Sequence, residues 1–133
     1  MVTYNEVKNN EEIKIYIRMA DETMNSLKFT EHSFAHVVRT ADVVSQILSK
    51  TGYDERTVEL GQIAGYMHDI GNVINRIDHA QSGAVMAFRL LDKMGMDAHD
   101  MSRVVTAIGN HDEKTAYPVN EIAAALIIAD KSD

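Results

Sequence analysis

Apolar residues recur three and four positions apart along almost the whole chain, and Pro118 is the single proline in 133 residues. Phe34, Val37, Ala41, Val44 and Leu48 form one such line, with His36, Thr40, Val43 and Ile47 on a neighbouring face. This spacing lays an apolar stripe along one side of an α-helix, whereas a half-buried strand needs alternation at period two. No segment alternates for long enough to make a strand. The expected fold class is all-α, a bundle of about six helices with no sheet.

Boundary signals divide the chain further. A first helix is expected from about Asn10 to Lys28, with Ile13, Ile17, Ala20, Met24 and Leu27 at helical spacing. The second opens on Thr30 as N-cap and closes near Lys50, before Gly52. The third starts at Asp54 and carries Val58, Leu60, Ile63, Ala64 and Met67 toward Gly71, with Asp69 at its fraying end. A fourth begins near Asp78-His79 and ends at Gly95, and it is expected to bury Ala84, Val85, Phe88 and Leu91. The fifth runs from Asp97 through Met101, Val104, Val105 and Ile108 toward His111, and the last is capped by Asn120. Residues 1–133 read as one domain, with an N-terminal helix over 1–29 and the helical core over 30–133. Only three residues follow Asp130 and no C-cap signal accompanies them. The chain therefore reads either as an abrupt domain end or as a piece of something longer.

Composition narrows the function. The net charge of −7 speaks against a nucleic-acid surface, which needs an excess of Lys and Arg. It does not speak against a phosphate substrate where divalent ions carry the positive charge. The longest apolar run, Ile122 to Ala129, is far short of the ~20 residues of a membrane span, and the start lacks an export signal. A cytoplasmic protein is the expectation, with no membrane partner; a homo-oligomer stays open. With no cysteine, a metal site would have to be built from nitrogen and oxygen.

Such ligands are present on core-forming segments: His36, the pair His68-Asp69, His79, His111, and Asp130 at the end of Ile-Ala-Ala-Ala-Leu-Ile-Ile-Ala. A lone buried carboxylate is destabilising by several kcal/mol, so Asp130 calls for a pairing, hydrogen-bonding or metal partner. His-Asp occurs three times, at 68–69, 99–100 and 111–112, and only the first follows an apolar helical face. His99-Asp100 reads as a solvated first turn, and His32 as a surface residue. Adjacent residues at a helix end diverge, so the imidazole can ligate one ion while the carboxylate reaches between two. Carboxylates of this kind hold metal pairs roughly 3.5–4 Å apart in two-metal hydrolases. Arg39, Arg76, Lys114 and Lys131 stand beside successive candidate ligands and are candidates for contacting phosphate.

The ordered pattern is His36-x-x-Arg39-x-Ala41, His68-Asp69-Ile70-Gly71, His79 followed by Gly83-Ala84, Asn110-His111-Asp112-Glu113, and Ile128-Ala129-Asp130. It resembles the HD-domain superfamily of metal-dependent phosphohydrolases over roughly residues 32 to 133. The resemblance implies an all-helical domain with His36, His68, Asp69 and Asp130 as metal ligands. In members with extra histidines a second ion is bound, and the matching residues here are His79 and His111, with Asp69 as bridge. It further implies His68 and Asp69 as catalytic, and hydrolysis of a phosphoester or phosphoanhydride by metal-activated water. Iron or manganese is the expected metal, with zinc, nickel, cobalt or magnesium as alternatives. The spacing looks closer to small HD hydrolases of nucleotides than to the alarmone hydrolases, whose Glu-Asp pair is replaced by Asn72-Val73. It faintly echoes the cyclic-dinucleotide phosphodiesterases of the HD-GYP type, with Thr115-Ala116-Tyr117-Pro118 in place of their Gly-Tyr-Pro segment. The expected substrate is a nucleotide-type phosphorylated small molecule. The alternatives are a cyclic dinucleotide and a non-catalytic HD-fold binding module.

Overall fold

A computed structural model describes residues 1–29 and 33–132. The expected N-cap at Thr30 and the surface reading of His32 lie outside the described residues. Seven α-helices and no strand occur among those described: α1 (Tyr4–Lys8), α2 (Glu11–Ser26), α3 (Ser33–Lys50), α4 (Glu55–Met67), α5 (His79–Met94), α6 (Ala98–Gly109) and α7 (Glu121–Lys131). A single 3₁₀ turn, Ile70–Val73, joins α4 to α5. None of the described helices is long and apolar enough to cross a membrane.

The caps explain most boundaries. Side chains of Asn10, Asp54, Asp97 and Asn120 each accept from an amide in the first turn of the helix that follows. The short helix α1 escaped the periodicity argument because one turn carries no period. Its signal was a capping box, Thr3-x-x-Glu6, in which each residue's side chain pairs with the other's backbone amide.

Helix α4 is the spine. Leu60, Ile63, Ala64 and Met67 are fully buried, and α1, α3, α6 and α7 all pack on it. Its largest interface is with α3, where glycine permits close approach. A Cβ on Gly65 would lie 2.9 Å from the Cα of Ala41, a distance real side chains do not tolerate. This contact brings the middle of α3, and His36 with it, over the C-terminal end of α4.

Helix α5 buries Leu91 as expected, but Val85 and Phe88 turn outward. Val85 is 71% exposed and Phe88 52%, while Ala80, Gly83, Ala87, Leu90 and Leu91 are buried and Ala84 is half-buried. The reason is steric. The start of the inward face lies against the backbone of the 3₁₀ turn, where a Cβ on Gly83 would lie 3.2 Å from the Gly71 nitrogen, so small residues occupy it there, and Leu90 and Leu91 fill the core farther along. Leu27 is likewise 40% exposed, because it caps α2 rather than continuing its stripe.

Candidate metal centre

Six residues at or near helix ends converge on a single point. His36 comes from α3, His68 caps the end of α4, and Asp69 opens the 3₁₀ turn. His79 is the first residue of α5, His111 lies two residues beyond α6, and Asp130 sits in the last turn of α7. Helix ends suit this purpose because the chain changes direction there, so adjacent residues such as His68 and Asp69 can face different neighbours.

The six side chains fall into two groups sharing one carboxylate. In the first, Nε2 of His36 and of His68 lie 3.0 and 3.2 Å from Oδ1 of Asp130, and 3.2 Å from each other. Oδ2 of Asp69 is 3.3 Å from both imidazole nitrogens. In the second group, Nε2 of His79 and of His111 are 3.2 Å apart. Oδ1 of Asp69, the opposite oxygen, lies 3.3 Å from His79 and 3.7 Å from His111. The two oxygens of Asp69 are thus divided between the groups.

The backbone fixes which nitrogen carries the proton. Nδ1 of His68 is 2.6 Å from the Gly65 carbonyl, Nδ1 of His79 is 3.0 Å from that of Arg76, and Nδ1 of His111 is 2.5 Å from that of Ile108. A carbonyl only accepts, so each Nδ1–H donates and the neutral ring's Nε2 presents a lone pair. For His68 and His111 the acceptors are carbonyls in the last turns of α4 and α6. Nε2 of His79 and of His111 then face each other as two acceptors. That arrangement repels unless something accepts both electron pairs, and a divalent cation is such an acceptor. The residues present therefore fit divalent metal, with a nitrogen and oxygen donor set and no sulfur.

Electrostatics agree with that chemistry. Burial opposes ionisation of Asp69, yet His68, His111 and His36 around it hold its carboxyl well below the usual carboxylate range. Asp130 is likewise opposed by burial and held below its ordinary value by His36 and His68. Burial disfavours a charged His68, but the Asp69 and Asp130 carboxylates push its pKa up to about 10. Without metal, then, a proton is held where a cation would sit.

The groups open onto a cavity of about 520 Å³. Asp69, His79 and His111 line its buried floor, while His36 and Asp130 stay 19% and 30% exposed at its opening. Of the four cationic residues singled out for phosphate, Arg39, Arg76 and Lys131 line this cavity, and Arg76 reaches 3.9 Å from Oδ1 of Asp69. Lys114 is exposed and is not among the lining residues. Asp112 and Glu113 line it instead. In the sequence these two carry no signal beyond their place in the motif around His111. His99 is on the surface, its side chain 83% exposed, and Asp100 pairs with Arg56 at 3.0 Å.

The fold and site thus define an all-helical domain in which two histidine groups, each able to hold a divalent metal, share one aspartate. The HD domain family matches residues 33–133, and the chain belongs to that family. A crystal structure described as a predicted HD superfamily hydrolase from an uncultured Thermotogales bacterium is also similar. It is 26% identical, with a TM-score of 0.69, and the match covers 98% of this chain and 73% of that one. No curated protein sequence matches the chain. Family and neighbour together support a metal-dependent hydrolase in general.

Proposed function

We propose that this chain is a metal-dependent phosphohydrolase that cleaves a phosphoester or phosphoanhydride bond in a nucleotide-type small molecule. The observation that carries the reading is the division of Asp69, one oxygen toward His36 and His68 and the other toward His79 and His111, at the floor of a cavity that Arg39, Arg76 and Lys131 also line. Divalent ions held by these groups supply Lewis acidity and bring the pKa of water toward neutrality.

The chain's own residues do the rest. Arg39 and Lys131 follow ligands of the first group, and Arg76 stands beside the second, so phosphoryl oxygens entering the cavity meet N–H donors at both ends. No serine, threonine or cysteine lines the cavity among the described residues, which favours water over a hydroxyl or thiol side chain as the source of the incoming oxygen. Burial holds Asp69 and His68, the Gly65 carbonyl fixes the His68 ring, and Asp69, on the cavity floor, orients that water toward phosphorus.

The test is a hydrolysis screen over nucleotides, dinucleoside polyphosphates and cyclic dinucleotides with iron(II), manganese, cobalt, zinc, nickel or magnesium added. We expect turnover that a chelator removes and that Asp69→Asn lowers at least about 10³-fold, near the upper effect of losing one electrostatic contact to the transition state. Equal turnover in Asp69→Asn, or in metal-free protein, would contradict the proposal.

A further inference from the structure

Two carboxylates in a phosphate-binding cavity oppose the charge of the substrate, and they need a reason to be there. Asp112 and Glu113 line the cavity beside His111, yet neither belongs to either ligand group. Elsewhere the fold gives its part-buried carboxylates a cation: Asp100 has Arg56, Glu121 has Arg103, and Glu12 has Arg89 and Lys93. Asp112 is also part-buried, but among the described residues neither it nor Glu113 has a side-chain hydrogen bond or ion pair.

The cavity is therefore bipolar. Arg39 and Lys131 follow His36 and Asp130 at the first group's end, and Arg76 stands at the floor beside Asp69. Asp112 and Glu113 lie past His111, at the second group's end. Both carboxylates, Asp112 part-buried and Glu113 exposed, present acceptors to the cavity.

We infer that Asp112 and Glu113 bind an N–H donor group of the substrate, remote from its phosphate, and so select phosphate esters that carry one. An ammonium group and the amino edge of a nucleobase both supply this chemistry. The same carboxylates disfavour substrates that place a second anionic group there. The inference rests on the phosphohydrolase reading and adds to it a substrate class.

The test uses non-hydrolysable phosphonates in matched pairs, bound to the full chain in manganese buffer and followed by calorimetry. One pair is 3-aminopropylphosphonate and butylphosphonate; the other is the methylenephosphonate analogues of cytidine and uridine monophosphate. In the wild type the amino-bearing member of at least one pair should bind about tenfold tighter, as a hydrogen bond to a charged acceptor implies. The pair that discriminates identifies the donor as ammonium or nucleobase. In Asp112→Ala/Glu113→Ala the preference should fall to about twofold or less, with binding of the donor-free member equal or tighter. If the residues were merely structural, both members would weaken together and the preference would persist. Binding of both members without preference in the wild type overturns the inference and leaves the phosphohydrolase reading standing. No binding of any phosphonate overturns both.

Discussion

Gly71→Ala tests how the two ligand groups are held in register. A Cβ at position 71 would lie 2.1 Å from the His79 carbonyl oxygen, 2.6 Å from the Gly83 amide nitrogen and 2.6 Å from the Ser82 hydroxyl. The hydroxyl can rotate away, but the first two are backbone atoms of α5. Ordinary contact needs more than 3 Å, so the start of α5 must retreat by about 1 Å. Overpacking of this kind costs about 1–3 kcal/mol, partly offset by the smaller entropy of an unfolded alanine. A net loss of about 2 kcal/mol corresponds to a fall of roughly 6–10 °C in Tm for a chain of this length. His79 moves with the helix, away from its 3.3 Å approach to Asp69, so metal affinity should fall about tenfold or more. Gly95→Ala is the control. It forces alanine into a left-handed backbone, φ 95°, which Gly71 does not adopt, but nothing lies within 4 Å of its Cβ. It should be destabilising by about 1 kcal/mol with unchanged metal affinity. Thermal unfolding of metal-free protein and a metal titration separate the two effects. Gly71→Ala with wild-type Tm and wild-type affinity would refute the reasoning.

Two further predictions concern pH and packing. His68 is raised from 6.5 to about 10, so its contribution to metal-free stability is complete below about pH 6.5 and is lost as pH rises through 10. Asp69 and Asp130 are depressed, so their contribution holds above about pH 4 and is lost on acidification. Metal affinity should run the other way and rise with pH, because the ion displaces the proton on His68. Denaturant midpoints of metal-free protein that stay flat from pH 6.5 to 10, or affinity that falls with pH, would contradict this. For packing, Val85→Ser should change stability by less than about 0.5 kcal/mol, whereas Leu91→Ala should lower it by about 2–5 kcal/mol. Equal losses from the two in urea unfolding would show the face of α5 to be misassigned.

The helices and the ligand residues were legible for different reasons. Long stripes such as Phe34 to Leu48 carry their own period, and Asp54, Asp97 and Asn120 mark helix starts by side-chain chemistry. His68-Asp69 stood out from the other His-Asp pairs because an apolar face precedes it. The inward face of α5 was not legible, since hydrophobicity favoured Val85 and Phe88 while close backbone contact selected Ala80, Gly83 and Ala87. Periodicity registers transfer free energy and is blind to how near a neighbouring backbone will come. Charge on the cavity rim was partly hidden for a similar reason. Sequence adjacency to a ligand suits Lys114 as well as Lys131, and only the path of the chain after His111 brings Asp112 and Glu113 to the cavity in place of Lys114.

Anomalous diffraction from crystals grown with manganese tests the central claim most directly, because it locates each ion without reference to activity. The account predicts two peaks on either side of Asp69, one among His36, His68 and Asp130 and the other between His79 and His111. The second peak alone should fade in His79→Ala. A single peak in the wild type, or peaks that do not flank Asp69, would contradict the division of that carboxylate between two ions.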